Sequence, residues 1–146
     1  MRGTARDMVR SVLRLSRSAL DELIALAYDC YPEEACGLIA GSTGTDDDTA
    51  EVFFPCRNTA ASARVYTIDP HDHLRAEDAA DDRGIEINGV VHSHTHSEPY
   101  PSPTDVAQAP DPSWHYVIVS LKRDVPEVRS YRIVGGGITE EPIEVT

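Results

Sequence analysis

The chain has 146 residues, 40% of them hydrophobic, and its 13 Lys and Arg against 25 Asp and Glu leave a formal charge of −12. That length suits one domain with its own core, and the composition is that of a globular protein, neither disordered nor fibrous. The acidity disfavours nucleic acid and anionic membrane surfaces as partners, since both attract clustered Lys and Arg, and no apolar run is long enough to span a bilayer.

Residues 1–10 are polar and aperiodic, with no apolar stretch behind their basic residues. They read as a loose tail rather than a signal peptide, leaving 11–146 as the domain. Leu13 to Leu15 has the length of a short edge strand. Ser16 or Ser18 then offers an N-cap, and Leu20, Leu23, Ile24 and Ala27 recur at helical spacing up to Pro32. Asp21 and Glu22 are expected in the first turn, where the helix dipole favours them.

Ala35 to Gly41 is a short apolar run that reads as a buried strand, with Cys36 as a small core residue. Ser42 to Thr49 reads as a solvated hairpin loop; its adjacent acids Asp46, Asp47 and Asp48 lack the alternate spacing of a calcium loop. Val52 to Phe54 and Arg64 to Ile68 follow as strands, joined through a turn at Asn58 and Thr59 that is also placed to touch a substrate.

Asp69 caps a helix with Pro70 at its first position, running to about Arg83 and stopping at Gly84. Its carboxylates read as a solvated face. Gly89 to His92 is a central strand, and Ser102 with Pro103 opens a short helix. Trp114 to Leu121, Glu127 to Val134 and Ile138 to Val145 complete the strands, with Gly135-Gly136-Gly137 as the last turn. This order predicts an α/β domain, a mixed sheet with helices packed on it. Cys30, Cys36 and Cys56 are odd in number and form no C-x-x-C pair, so they read as free thiols, with cytoplasm as the expected location.

Chemistry concentrates around His92-Ser93-His94. On an extended segment, side chains at i and i+2 share a face, so both imidazoles can hold one metal ion. Two satisfied or exposed histidines would look the same in sequence, so a third ligand decides, because a catalytic zinc keeps three protein ligands and one open position. His96 continues the alternation. Asp105, in the first turn of the helix capped by Ser102, is the competitor, and Ser102-Pro103-Thr104-Asp105 is itself like a capping box.

His92-Ser93-His94, seven residues, Ser102, two residues and Asp105 together resemble the signature of the JAMM (MPN-plus) zinc metalloproteases. Tyr31-Pro32-Glu33-Glu34-Ala35-Cys36-Gly37 resembles the segment that carries that family's upstream glutamate, and it picks out Glu34 rather than Glu33. The resemblance extends from about Leu13 to the C-terminus. It implies a single JAMM/MPN domain in a cytidine-deaminase-like three-layer arrangement. It also implies one Zn2+ per chain on His92, His94 and Asp105, with Glu34 as general base and Ser102 as oxyanion donor. The family often has proline after the second histidine; here Thr95-His96 follows, so His96 joins Asn58 as a candidate substrate contact.

The phrasing Glu34-Ala35-Cys36-Gly37 and Tyr100-Pro101-Ser102-Pro103-Thr104-Asp105 is most similar to the bacterial Mec group. That similarity implies a ubiquitin-like sulfur-carrier protein as partner, cut after its C-terminal Gly-Gly. The product would be a cysteine built on the carrier, as with the carrier CysO, or a short extension. A general isopeptidase is the alternative. A zinc lyase or hydratase using His92, His94 and His96 is a further one, and a non-catalytic scaffold is disfavoured because every motif residue is present.

Overall fold

The computed structural model describes residues 11–43 and 47–146, so the expected tail at 1–10 lies outside the described residues. In chain order the elements are β1 (Leu13–Leu15), α1 (Arg17–Cys30), β2 (Cys36–Gly41), β3 (Asp48–Ala50), β4 (Val52–Cys56) and α2 (Pro70–Asp82). After these come β5 (Glu86–His94), α3 (Pro103–Ala107), β6 (His115–Ser120), β7 (Glu127–Val134), β8 (Gly137–Glu141) and β9 (Ile143–Val145).

Six strands form one mixed sheet in the order β4-β2-β5-β6-β7-β8, in which only β5 and β6 run parallel. Alternation along the central strands divides the core into two faces. Ile39, Val91, Val117 and Val119 pack with Leu23 and Ala27 of α1; Leu38, Val90, Tyr116 and Ile118 pack with Ala76 of α2. The sheet is therefore sandwiched between helices, the three-layer arrangement that the motif resemblance implies. Ser16 is the N-cap of α1, accepting the N–H of Ala19 at 3.1 Å. Asp69 caps α2, whose Glu77, Asp78, Asp81 and Asp82 are exposed to solvent.

Several expectations are corrected. With Ser16 as cap, the first turn of α1 closes before Asp21 and carries no acidic residue. Leu13–Leu15 is no edge. It lies between β3 and β9 in a second, parallel sheet, with both leucines fully buried, because the C-terminus returns to cover it. That same pairing makes Asp48–Ala50 a strand rather than loop. Residues 44–46 of the expected loop lie outside the described residues.

The stretch expected as one strand from Ile138 to Val145 is two, because Pro142 breaks the ladder and lets β9 change sheets. Arg64 to Ile68 is not a strand either. Its backbone groups are shared out: Arg64 and Val65 N–H go to Ser62 Oγ, and the Asn58 side chain accepts Thr67 N–H and donates to Val65 O, leaving one bridge between Asn58 and Ile68. The turn from β7 to β8 forms as expected, with Gly135 at φ 56° and Gly136 at φ 82°, values that suit glycine.

Candidate metal centre and its cleft

His92 and His94 end β5, side by side with the parallel β6, at the edge where the chain leaves the sheet towards α3. Ligand sites of open α/β sheets form at such carboxyl ends. His92 Nε2 lies 3.1 Å from His94 Nε2, and Asp105 Oδ2 lies 3.2 Å from the first and 3.1 Å from the second. All three residues are buried. Tetrahedral zinc with nitrogen and oxygen bonds of about 2.0–2.1 Å separates its ligand atoms by roughly 3.3–3.4 Å. The triangle therefore fits three corners of such an ion and leaves the fourth open.

Neighbouring groups aim each ligand. His94 Nδ1 is 2.8 Å from the Glu98 carbonyl, which accepts Nδ1–H and so leaves Nε2 as the unprotonated nitrogen able to coordinate. The loop carrying that carbonyl is clamped from β6 onward: Ser120 donates to Ser97 O at 2.6 Å, and Lys122 and Arg123 hold the Glu98 carboxylate. Tyr66 stacks on His92, ring centres 4.4 Å apart. Asp105 is fixed by a reciprocal capping box, its Oδ2 accepting Ser102 N–H while Ser102 Oγ accepts Asp105 N–H. Burial pushes His92 towards the neutral form a metal ligand needs. Burial opposes ionisation of Asp105, but the two histidines and Ser102 N–H outweigh it and hold the carboxyl well below the usual range.

The centre opens into a cleft of about 610 Å³ lined by Glu34, Arg64, His94, His96 and Ser102. Glu34 is buried whereas Glu33 is exposed, the distinction the motif spacing draws. Its Oε1 is a buried oxygen with no hydrogen-bond partner among the described residues. Burial pushes its carboxyl up to about 7, partly offset by His94. An oxygen in that state is suited to exchanging a proton near neutral pH.

Asn58 does not line the cleft. Its amide donates to Glu34 O and Val65 O, both at 3.1 Å, and its oxygen accepts from Ala60 and Thr67, so it holds the backbone of Glu34 rather than facing the cleft. His96 does line the cleft but stays outside the ligand triangle, with Nδ1 3.0 Å from Thr95 Oγ1 and Nε2 3.2 Å from Tyr31 Oη. Thr95 donates its own proton to Ala63 O, so His96 Nδ1–H donates to Thr95 and Nε2 accepts from Tyr31.

Sequence spacing does not single out Ser93. Lying between the two histidines, it points to the opposite face, fully buried, and accepts Ala35 N–H at 2.7 Å while Ser93 N–H donates to Ala35 O. It ties the residue after Glu34 to the strand that carries His92 and His94. The i+1 position on an extended H-x-H is the one signal that could have found it.

The family model for prokaryotic homologs of the JAB domain matches residues 16–134. The chain belongs to this JAB family. JAB domains are typically metal-dependent, and the His92, His94 and Asp105 group is placed for that role. The domain is 39% identical over 92% of its length, and 91% of the relative's, to the CysO-cysteine peptidase of Mycobacterium tuberculosis. It is 35% identical to the desampylase of Haloferax volcanii over 77% of this chain and 84% of that one. A protein of Desulfitobacterium hafniense solved in solution superposes with a TM-score of 0.82, at 33% identity, covering 92% of both chains.

No helix among the described residues is long and apolar enough to cross a membrane. Cys30, Cys36 and Cys56 are free thiols, although Cys36 and Cys56 face each other in the register of β2 and β4.

Proposed function

We propose that this protein is a zinc peptidase that hydrolyses the amide bond after the C-terminal Gly-Gly of a ubiquitin-like sulfur-carrier protein. It releases cysteine or a short extension, in the biosynthesis of cysteine or a related sulfur metabolite. The observation that carries this reading is the triangle of His92 Nε2, His94 Nε2 and Asp105 Oδ2 in the cleft that Glu34 also lines, its buried Oε1 having no hydrogen-bond partner among the described residues. The CysO-cysteine peptidase relative supports the choice of substrate.

His92, His94 and Asp105 hold one zinc ion per chain. Zinc bound there supplies the Lewis acidity that makes water a nucleophile at neutral pH. Glu34 Oε1 takes the proton of the attacking water and passes it to the departing amine nitrogen. Ser102 Oγ serves as helix cap through a lone pair, accepting Asp105 N–H, so its O–H proton remains free for the oxygen of the substrate carbonyl.

The Gly-Gly tail enters extended, and the absence of Cβ atoms lets its backbone approach the ligand triangle. A chain of charge −12 favours a basic patch on the carrier, so association weakens with salt. Two buried cysteines left as thiols in facing register fit a reducing cytoplasm.

A second reading, a general isopeptidase acting on ubiquitin-like conjugates, is favoured by the desampylase relative. Zinc-loaded protein incubated with a carrier from the same genome ending in Gly-Gly-Cys, followed by mass spectrometry, separates the two. Loss of the residue after Gly-Gly supports the first reading. An unchanged carrier with cleaved isopeptide conjugates supports the second.

A further inference from the structure

Ten Lys and Arg side chains lie in the described residues, and in so acidic a protein most are paired. Arg14, Arg57, Arg75, Lys122, Arg123, Arg129 and Arg132 each meet a carboxylate. Among the described residues only Arg17, Arg64 and Arg83 have no ion pair, and of these only Arg64 lines the cleft.

Its backbone is not loose. Ser62 Oγ accepts the N–H groups of Arg64 and Val65 at 3.0 and 3.3 Å. Ser62 O accepts Glu34 N–H at 2.8 Å, and Ala63 O accepts the Thr95 hydroxyl. The residue is thus tied on one side to the segment of the general base and on the other to the residue after a metal ligand. Arg64 is an exposed arginine without an ion pair among the described residues, on a fixed backbone at the wall of the cleft. A guanidinium so placed is a ready receptor for an anion.

We propose that Arg64 determines specificity by binding the free α-carboxylate of the residue that the reaction releases. The assignment rests on the peptidase reading above and deepens it. In a C-terminal residue, the α-carboxylate carbon is only two bonds from the nitrogen of the scissile amide, so the anion necessarily accompanies that nitrogen into the cleft. The lysine nitrogen of an isopeptide has no carboxylate at that position. Arg64 therefore favours release of a single C-terminal residue over removal of conjugates or longer extensions. The other cleft residues do not offer this discrimination. Glu34 repels an anion, and both His96 ring nitrogens are engaged by Tyr31 and Thr95.

The test compares two forms of one carrier ending in Gly-Gly-Cys, one with a free C-terminal carboxylate and one with a C-terminal carboxamide. Zinc enzyme should cleave the carboxylate form with kcat/KM about tenfold or more above the carboxamide, and in Arg64→Ala that ratio should fall to near one. A folding defect would lower both rates and leave the ratio unchanged. As a readout without turnover, the zinc-loaded Glu34→Gln protein should bind the carboxylate form about tenfold more tightly, a preference lost in the Glu34→Gln/Arg64→Ala double variant.

A wild-type ratio near one, or a ratio retained in Arg64→Ala, overturns the assignment while leaving the peptidase reading in place. If the wild type cleaves neither form, the peptidase reading falls and this assignment falls with it.

Discussion

Ser102 and Asp105 cap each other. Ser102 N–H donates to Asp105 Oδ2 at 2.9 Å, and Asp105 N–H donates to Ser102 Oγ at 3.1 Å, while the same Oδ2 faces both histidines. One capping box thus fixes the Asp105 carboxylate beside both histidines and leaves the Ser102 O–H proton outside the cap. Ser102→Ala is expected to cost about 1 kcal/mol of stability through the lost cap and about 10²–10³-fold in kcat through the lost oxyanion donor, with KM little changed. Ser102→Thr, which keeps both functions, should retain most turnover. Steady-state kinetics and thermal melts of the two variants check this.

Glu34→Gln should keep its zinc and lose turnover by about 10²–10⁴-fold, because it removes the base and leaves the ligands. In the wild type, activity should fall with acid through an inflection no higher than about 7, since only the ionised carboxylate accepts a proton. The zinc content of the variant and the kcat/KM–pH profile of the wild type are the measurements.

The same group has a stability signature of opposite sign in metal-free protein. Burial raises Glu34 from 4.5 to about 7, so between those values the folded state binds the extra proton and stability declines as pH rises. Metal-free Glu34→Gln should therefore gain in melting temperature relative to metal-free wild type as pH goes from 5 to 8. Parallel thermal melts in a chelating buffer would show a constant difference if burial of the carboxylate costs nothing.

Elemental analysis separates the candidate third ligands. His96 turns both ring nitrogens to Tyr31 and Thr95, so His96→Ala should retain about one zinc per chain whereas Asp105→Ala loses it. Zinc lost with His96 and kept without Asp105 would instead support the lyase or hydratase site.

Far from the cleft, His115 is buried between two carboxylates, with Nδ1 on Glu141 and Nε2 2.7 Å from Asp48, joining the two sheets. Burial opposes its charge, but the two hydrogen bonds prevail and raise its pKa above the ordinary 6.5. Its ionic contribution to stability is therefore complete below 6.5 and lost as pH climbs through the raised value. Glu141, lowered chiefly by His115 against its own burial, contributes above 4.5 and loses its share as pH falls further. His115→Gln should cost about 3 kcal/mol near pH 6 and clearly less near pH 9, as read from urea unfolding at the two values.

The centre was legible in the chain because it rests on local rules. Alternation on an extended segment puts His92 and His94 on one face, and a capped first turn immobilises Asp105 three residues after Ser102. The same locality makes α1, α2 and the central strands readable from periodicity and caps. Reading Trp114 to Leu121 simply as a strand gives no sign of the ion cluster at His115, because Asp48 and Glu141 lie 67 and 26 residues from it.

By itself, then, the sequence determined α1, α2, most of the sheet strands, the burial of β2, and the grouping of His92, His94 and Asp105. Each depends on residues a few positions apart or on the period of one element. Tertiary structure alone decided that Leu13–Leu15 is a central strand, that Pro142 sends β9 to a second sheet, and that Asn58 holds Glu34 rather than a substrate. It also decided that His96 turns to Tyr31 and that Arg64 lines the cleft with no ion pair among the described residues. Those outcomes depend on which distant backbone groups and carboxylates come within hydrogen-bonding distance, and no short-range pattern carries that information.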